Sequence, residues 1–170
     1  MTKSVEAAPE GPLDISALTD NLGFRLHILD LRMMKALAER CAVHGLTPGA
    51  ASVLMVIKQN PGARHGELAD ALLIQRPNMT KLMKRLEAQG FVRRLPAQTD
   101  RRHVVLGLTP KGEKAVASAK AEFAAHDEAV QALCSAGDRE AMTTLVQRLH
   151  DAMDAVGDEA PARAGSEPLV

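Results

Sequence analysis

Leu18, Leu22, Leu26, Leu29, Met33 and Leu37 recur three or four positions apart, the spacing that gives a helix one apolar face. The pattern predicts a long first helix from about 13 or 19 to 44, stopped by Gly45. Thr47-Pro48 reads as the N-cap and first turn of a second helix. Val53, Leu54, Met55 and Ile57 supply its core, and Asn60-Pro61-Gly62 ends it as a turn. Two short helices follow, about 65–72 and 75–89, the second closed by Gly90. The period then changes, and 91–95 and 103–108 read as two strands around a polar tip, 96–102. Thr109-Pro110 repeats the helix start, and a long helix runs to about 133. Asp138 reads as the cap of a last helix striped by Met142, Leu145, Val146, Leu149, Met153 and Val156. The fold class is therefore mainly α with a small β-hairpin. One domain is expected over 13–156, with a disordered arm at 1–12 and a disordered tail at 157–170, where small, polar and acidic residues dominate.

The 170 residues are 46% hydrophobic and 25% charged, an ordinary soluble composition with enough apolar residues for one core. The first dozen residues lack the basic-then-apolar pattern of a secretory leader. No apolar run approaches the roughly 18 residues of a membrane helix. Cys41 and Cys134 are the only cysteines and lie far apart, which suits a reducing compartment; a cytoplasmic protein without membrane contact is expected. Neither a glycine-rich phosphate loop nor a Gly-x-Ser-x-Gly or paired-carboxylate motif occurs, so the chain reads as a non-enzyme with no cofactor. His27, His44, His65, His103, His126 and His150 show no paired ligand spacing, and no metal site is expected.

Net charge is zero, yet it is unevenly spread. Residues 61–106 hold nine Lys or Arg against four Asp or Glu, while the last twenty hold one base against five acids. A basic middle with an acidic end fits a centre that meets nucleic acid, although a solvated charged face has the same signature. The second short helix sharpens the choice. Met79, Leu82, Met83 and Leu86 share one face, leaving Arg76, Asn78, Thr80, Lys81, Lys84 and Arg85 on the other, with no acid before Glu87. Arg and Asn match guanine and adenine edges, Lys and Thr suit phosphate, and a helix fits the major groove. The hairpin adds Arg93 and Arg94 on its first strand, at least one of which should meet phosphate, and Asp100, Arg101 and Arg102 at its tip. A carboxylate two residues before an arginine can orient it, and an arginine on a slim hairpin can enter the minor groove.

These residues carry a specific resemblance. Leu46-Thr47-Pro48, Glu67-Leu68-Ala69, the run 80–94, Asp100-Arg101-Arg102 and Leu108-Thr109-Pro110-Lys111-Gly112 together resemble the MarR family of bacterial regulators, and the flanking helices match in placement. The resemblance implies a winged helix-turn-helix lobe at 46–109, dimerisation helices at 13–45 and 110–156, an obligate homodimer and a palindromic double-stranded DNA operator. It also implies that Asp100 orients Arg102 in or near the minor groove. Gln75 departs from the pattern: it is a poorer N-cap than the Ser common at that place, and Pro77 in the first turn partly compensates.

A ligand-responsive regulator follows from the same resemblance, and repression is the expected mode because a dimer seated over a promoter blocks polymerase by occupancy. The resemblance implies a small-molecule pocket where the first, second and fifth helices meet, and Phe24, Arg25, His27, Ile28, Arg32, Met33, Met55, Lys58 and Phe123 are the candidate lining. Cations and adaptable methionines there suit an aromatic or phenolic acid, or its acyl-CoA thioester. Two alternatives stand beside this one. Cys41, close in sequence to Arg40 and His44, could act as a redox sensor, although a small buried side chain is the simpler account and the chain has no tyrosine. A winged helix can also serve protein contacts, in which case exposed apolar residues belong on its second helix.

Overall fold

A computed structural model describes residues 14–96 and 104–159. The elements run α1 (Ser16–Thr19), α2 (Leu22–Ala42), α3 (Pro48–Gln59), α4 (His65–Ala71), α5 (Arg76–Ala88), β1 (Val92–Pro96), β2 (Val104–Leu108), α6 (Pro110–Gln131) and α7 (Ala136–Glu159). The fold class is the expected one, mainly helical with one antiparallel hairpin in which Val92 faces Leu108 and Pro96 faces Val104. Two compact units divide within α6, the first running through Phe123 and the second from Ala124.

Local chemistry sets most boundaries. Thr47 is extended and its hydroxyl accepts from the Ala50 amide at 3.2 Å, with Pro48 opening α3. Thr109 does the same for α6, its hydroxyl accepting from the Gly112 amide at 3.1 Å. Gly45, Gly62 and Gly90 take positive φ after α2, α3 and α5, where a side chain would be strained. Gln75 makes no side-chain cap bond and Pro77 stands in the first turn of α5, as the sequence suggested.

Three boundaries differ from expectation. The first helix is interrupted: Asn21 is extended and its side chain accepts from the Phe24 amide at 3.0 Å, so it ends α1 and restarts the chain as α2. A short amide that bonds neighbouring backbone competes with continuous helix. The last helix begins earlier, at Ala136. Ser135 is the capping residue, with its hydroxyl accepting from the Asp138 amide at 3.2 Å and the Asp138 carboxylate accepting from the Ser135 amide at 3.1 Å. This helix also runs through Glu159, so 157–159 are helical rather than part of a disordered tail.

The core of the first unit gathers Leu37 and Cys41 from α2, Val53, Leu54 and Ile57 from α3, Leu68 from α4, Met79, Met83 and Leu86 from α5, and Val92 and Leu106 from the hairpin. The root of the hairpin is fastened from α6. The Thr109 hydroxyl donates to the Gly90 carbonyl at 2.6 Å. Lys111 donates to the Gln89 carbonyl at 2.7 Å and lies 4.5 Å from the centre of the Phe91 ring. Gly112 is buried against this same turn.

The turn between α4 and α5 carries the one strained side chain among the described residues: Leu73 has φ +52° and is 87% exposed. A left-handed L-residue costs about 1–2 kcal/mol, and glycine gives back roughly 0.5–1 kcal/mol of that in chain entropy. With no packing to lose, Leu73→Gly is expected to stabilise by up to about 1 kcal/mol. A lower urea midpoint for the variant would show that the exposed leucine has a stabilising contact.

Candidate nucleic-acid interface

The α4–turn–α5 pair places α5 with Met79, Met83 and Leu86 buried and Leu82 partly buried. Its opposite face exposes Arg76, Asn78, Thr80, Lys81, Lys84 and Arg85. All six residues assigned outward by periodicity are therefore outward, and no exposed large apolar side chain interrupts them. The side chains of Asn78, Lys81 and Lys84 have no hydrogen bond or ion pair among the described residues. Arg76 reaches Asp70 of α4 at 3.4 Å, Arg85 donates to the Thr47 hydroxyl at 3.3 Å, and the Thr80 hydroxyl bonds back to the Arg76 carbonyl at 3.0 Å. The amides of the first turn of α5, uncapped by Gln75, add partial positive charge to this face.

The hairpin rises beside the far end of α5. Arg93 is exposed, whereas Arg94 is held by Glu87: Nε donates to Oε1 at 2.6 Å and a terminal nitrogen to Oε2 at 3.3 Å. Asp100, Arg101 and Arg102 lie outside the described residues.

The candidate ligand-binding residues separate. A groove of about 260 Å³ is lined by Ile15, Thr19, Phe24, Arg25, Ile28, Leu29 and Arg32. It brings together Phe24, Arg25, Ile28 and Arg32 of the expected set, and adds Ile15, Thr19 and Leu29, which the candidate lining did not include. It lies between α1 and α2 rather than where α2, α3 and α6 meet. Arg25 donates to the Thr19 carbonyl and lies 3.7 Å from Asp20, so it closes one end. Met55 and Phe123 pack against the core instead, and Lys58 pairs with Glu113 of α6 at 2.5 Å. His27 is exposed and Met33 half-buried, both outside the groove. Only the break at Asn21, which lets α1 turn over the start of α2, could have pointed to Ile15 and Thr19.

Cys41 is buried beside a different cluster. Glu122 of α6 accepts from His44 at 3.1 Å and lies 3.5 Å from Arg40. These partners, His44 first, hold the Glu122 carboxyl below the ordinary glutamate range. The Arg40 and His44 side chains near Cys41 in sequence are thus engaged with a carboxylate. Burial, then the Glu122 charge, pushes the Cys41 thiol up, the reverse of what a reactive thiolate needs. In native protein, iodoacetamide is expected to label the half-buried Cys134 well before Cys41. Labelling of Cys41 at the faster rate would restore the redox reading.

Among the described residues no group of three or more His, Cys, Asp or Glu side chains is placed to hold a metal ion. No helix there is long and apolar enough to cross a membrane.

Comparison with known proteins fixes the lineage. A sequence model of the MarR family matches residues 44–103, the segment holding α3 to β1. The putative transcriptional regulatory protein for the hcr operon of Thauera aromatica is 30% identical over 135 residues, covering 79% of this chain and 81% of that one. The chain belongs to the MarR family. Among solved structures, the transcriptional repressor CouR bound to a 23-mer DNA duplex is similar with a TM-score of 0.73 and 31% identity, over 82% of this chain and 99% of that one. CouR bound to p-coumaroyl-CoA is similar with the same TM-score and 30% identity, over 82% and 98%. This MarR-family member is a transcriptional regulator with the family's winged helix-turn-helix fold, and its relatives are regulators rather than enzymes.

Proposed function

We propose that this MarR-family regulator is a repressor that binds a palindromic operator as a homodimer and leaves it when an aromatic or phenolic carboxylate, or its CoA thioester, binds. The carrying observation is the outer face of α5, which offers six donor-bearing side chains and no acid. Arg76 and Asn78 at its start read base edges, while Lys81, Lys84, Arg85 and Thr80 follow phosphate. Arg93 and the tip arginines 101 and 102, with Asp100 orienting the latter, serve the hairpin's side of the contact.

The lobe at 46–109 reads DNA, and 13–45 with 110–156 join two copies. Exposed leucines support that second role: Leu18, Leu22, Leu26 and Leu29 in the first unit, and Leu145 and Leu149 with Met142, Val146 and Met153 in the second. Such stripes are costly in water and find cover in a second copy. Two lobes must then stand about 34 Å apart to meet successive major grooves.

The groove between α1 and α2 has the chemistry of an amphipathic acid: Phe24, Ile28 and Leu29 for a flat ring, Arg25 and Arg32 for carboxylate or phosphate. The likeness to CouR, solved with p-coumaroyl-CoA, favours a thioester. Occupancy alters operator affinity only as far as the ligand prefers the unbound spacing of the lobes.

The test is a titration of the full chain against duplexes from upstream of its own coding region at two salt concentrations. Tight binding to one fragment that weakens steeply with salt is expected. Release on adding an aromatic acyl-CoA, lost in Arg25→Ala/Arg32→Ala, would support the groove. Equal, weak binding to all fragments and to selected random duplexes would rule out the operator reading.

A further inference from the structure

We infer that Glu87 and Arg94 form a strut that sets the wing against the recognition helix, so that Arg94 acts on DNA by positioning the hairpin and not by touching phosphate. This rests on the DNA-binding reading above and adds a positioning pair to it.

Glu87 is the only acid of α5, and it stands in the last turn, next to the surface proposed to meet a polyanion. An unpaired carboxylate there would repel phosphate. Instead its side chain is only 24% exposed and both its oxygens accept from one guanidinium, at 2.6 and 3.3 Å. Fork-to-fork pairing restrains distance and orientation together, which a lysine could not do. Among the six ion pairs between described residues, this is the one in which a single arginine takes both oxygens of its partner.

Its place in the fold gives that restraint a consequence. The sheet has two strands, so ladder bonds hold β1 to β2 but to nothing else. The polar bonds of Thr109 and Lys111 fasten the hairpin at its root, residues 89–91, while Val92 and Leu106, the latter paired with Arg94, hold it to the core by packing alone. Arg94 lies two residues beyond Val92, about 7 Å along the strand, and joins it to a different element. It is therefore the outermost described polar link between hairpin and recognition helix. With both oxygens of Glu87 satisfied, the guanidinium is directed toward the helix, while neighbouring Arg93 is left exposed for phosphate.

Fluorescence anisotropy on the fragment found by the titration tests this. Arg94→Met and Glu87→Gln should each weaken binding by about ten-fold or more while leaving the slope of log K against log salt unchanged. The double variant Glu87→Arg/Arg94→Glu should recover to within about five-fold of the parent, because the strut is rebuilt with its ends exchanged. Arg102→Ala should cost less in the Glu87→Gln background than alone, since a loosened wing already places its tip poorly. A structural role without wing positioning would leave the cost of Arg102→Ala unchanged and would overturn the inference. So would a slope reduced by about 0.9 in Arg94→Met, the signature of one lost phosphate contact, or tighter binding by Glu87→Gln with no recovery in the exchanged pair. Absence of selective binding by the parent would instead remove the DNA-binding reading, and the strut's role with it.

Discussion

Gly112→Ala is expected to destabilise the protein by about 3 kcal/mol or more. A β-carbon at that position falls 2.1 Å from the Phe91 carbonyl oxygen, 3.1 Å from its carbon and 3.3 Å from Leu108 Cδ2. The first two are backbone atoms and cannot rotate away. The Phe91 carbonyl is also committed, since it accepts from the Thr109 amide at 3.0 Å. Relief therefore requires α6 to retreat from the root of the hairpin, which breaks the Thr109 and Lys111 bonds to residues 89–91. Alanine's better helix propensity returns only about 1 kcal/mol. Gly107→Ala is the control: its β-carbon meets only the far end of the Leu95 side chain, at 2.5 Å, which can turn aside, so a loss below about 1.5 kcal/mol is expected. Urea unfolding of both variants measures the contrast. Equal, small losses would mean that α6 is not pinned to the hairpin root as described.

The same junction shows what a sequence can and cannot disclose. The caps Thr47 and Thr109, the turn at Asn60-Pro61-Gly62 and the inward face of α5 act within one or two turns of chain, so residue type and spacing reveal them. The interruption at Asn21 was hidden because Leu18 and Leu22 keep helical spacing straight through it. Position 21 is decided by a side-chain bond to Phe24 that periodicity cannot register. That break also creates the groove between α1 and α2, since Ile15 and Thr19 line it only once α1 turns over α2. Met55, Lys58 and Phe123 have the residue types of a ligand pocket, but Met55 and Phe123 pack against the core and Lys58 pairs with Glu113. Glu87 and Arg94 are seven positions apart on different elements, and only the reversal at Gly90 brings them together. Local order was legible, then, and contacts made across a chain reversal were not.

Reversing two charges on α5, Arg76→Glu with Lys81→Glu, is expected to weaken DNA binding by at least about a thousand-fold while leaving the fold and the oligomeric state as they are in the parent. Each lost contact costs roughly 1–3 kcal/mol, and the new carboxylates add repulsion against phosphate. The structure should accept the change. Both side chains are exposed, so no packing is lost. Arg76 is the first residue of α5, where a carboxylate is favoured by the helix dipole. Its pairing with Asp70, at 3.4 Å and with both side chains more than two-thirds in solvent, is worth under about 1 kcal/mol. Circular dichroism, the thermal midpoint and sedimentation should therefore match the parent, and only the anisotropy titration should collapse. Unchanged DNA binding would mean that α5 is not the reading helix. Lost DNA binding together with a lost oligomer would mean that the variant disturbs the body of the protein, and Lys84→Glu, further along the same exposed face, would then carry the test. A parent that binds no duplex but retains a protein partner sensitive to the same reversal would convert this winged helix from a DNA reader into a docking surface.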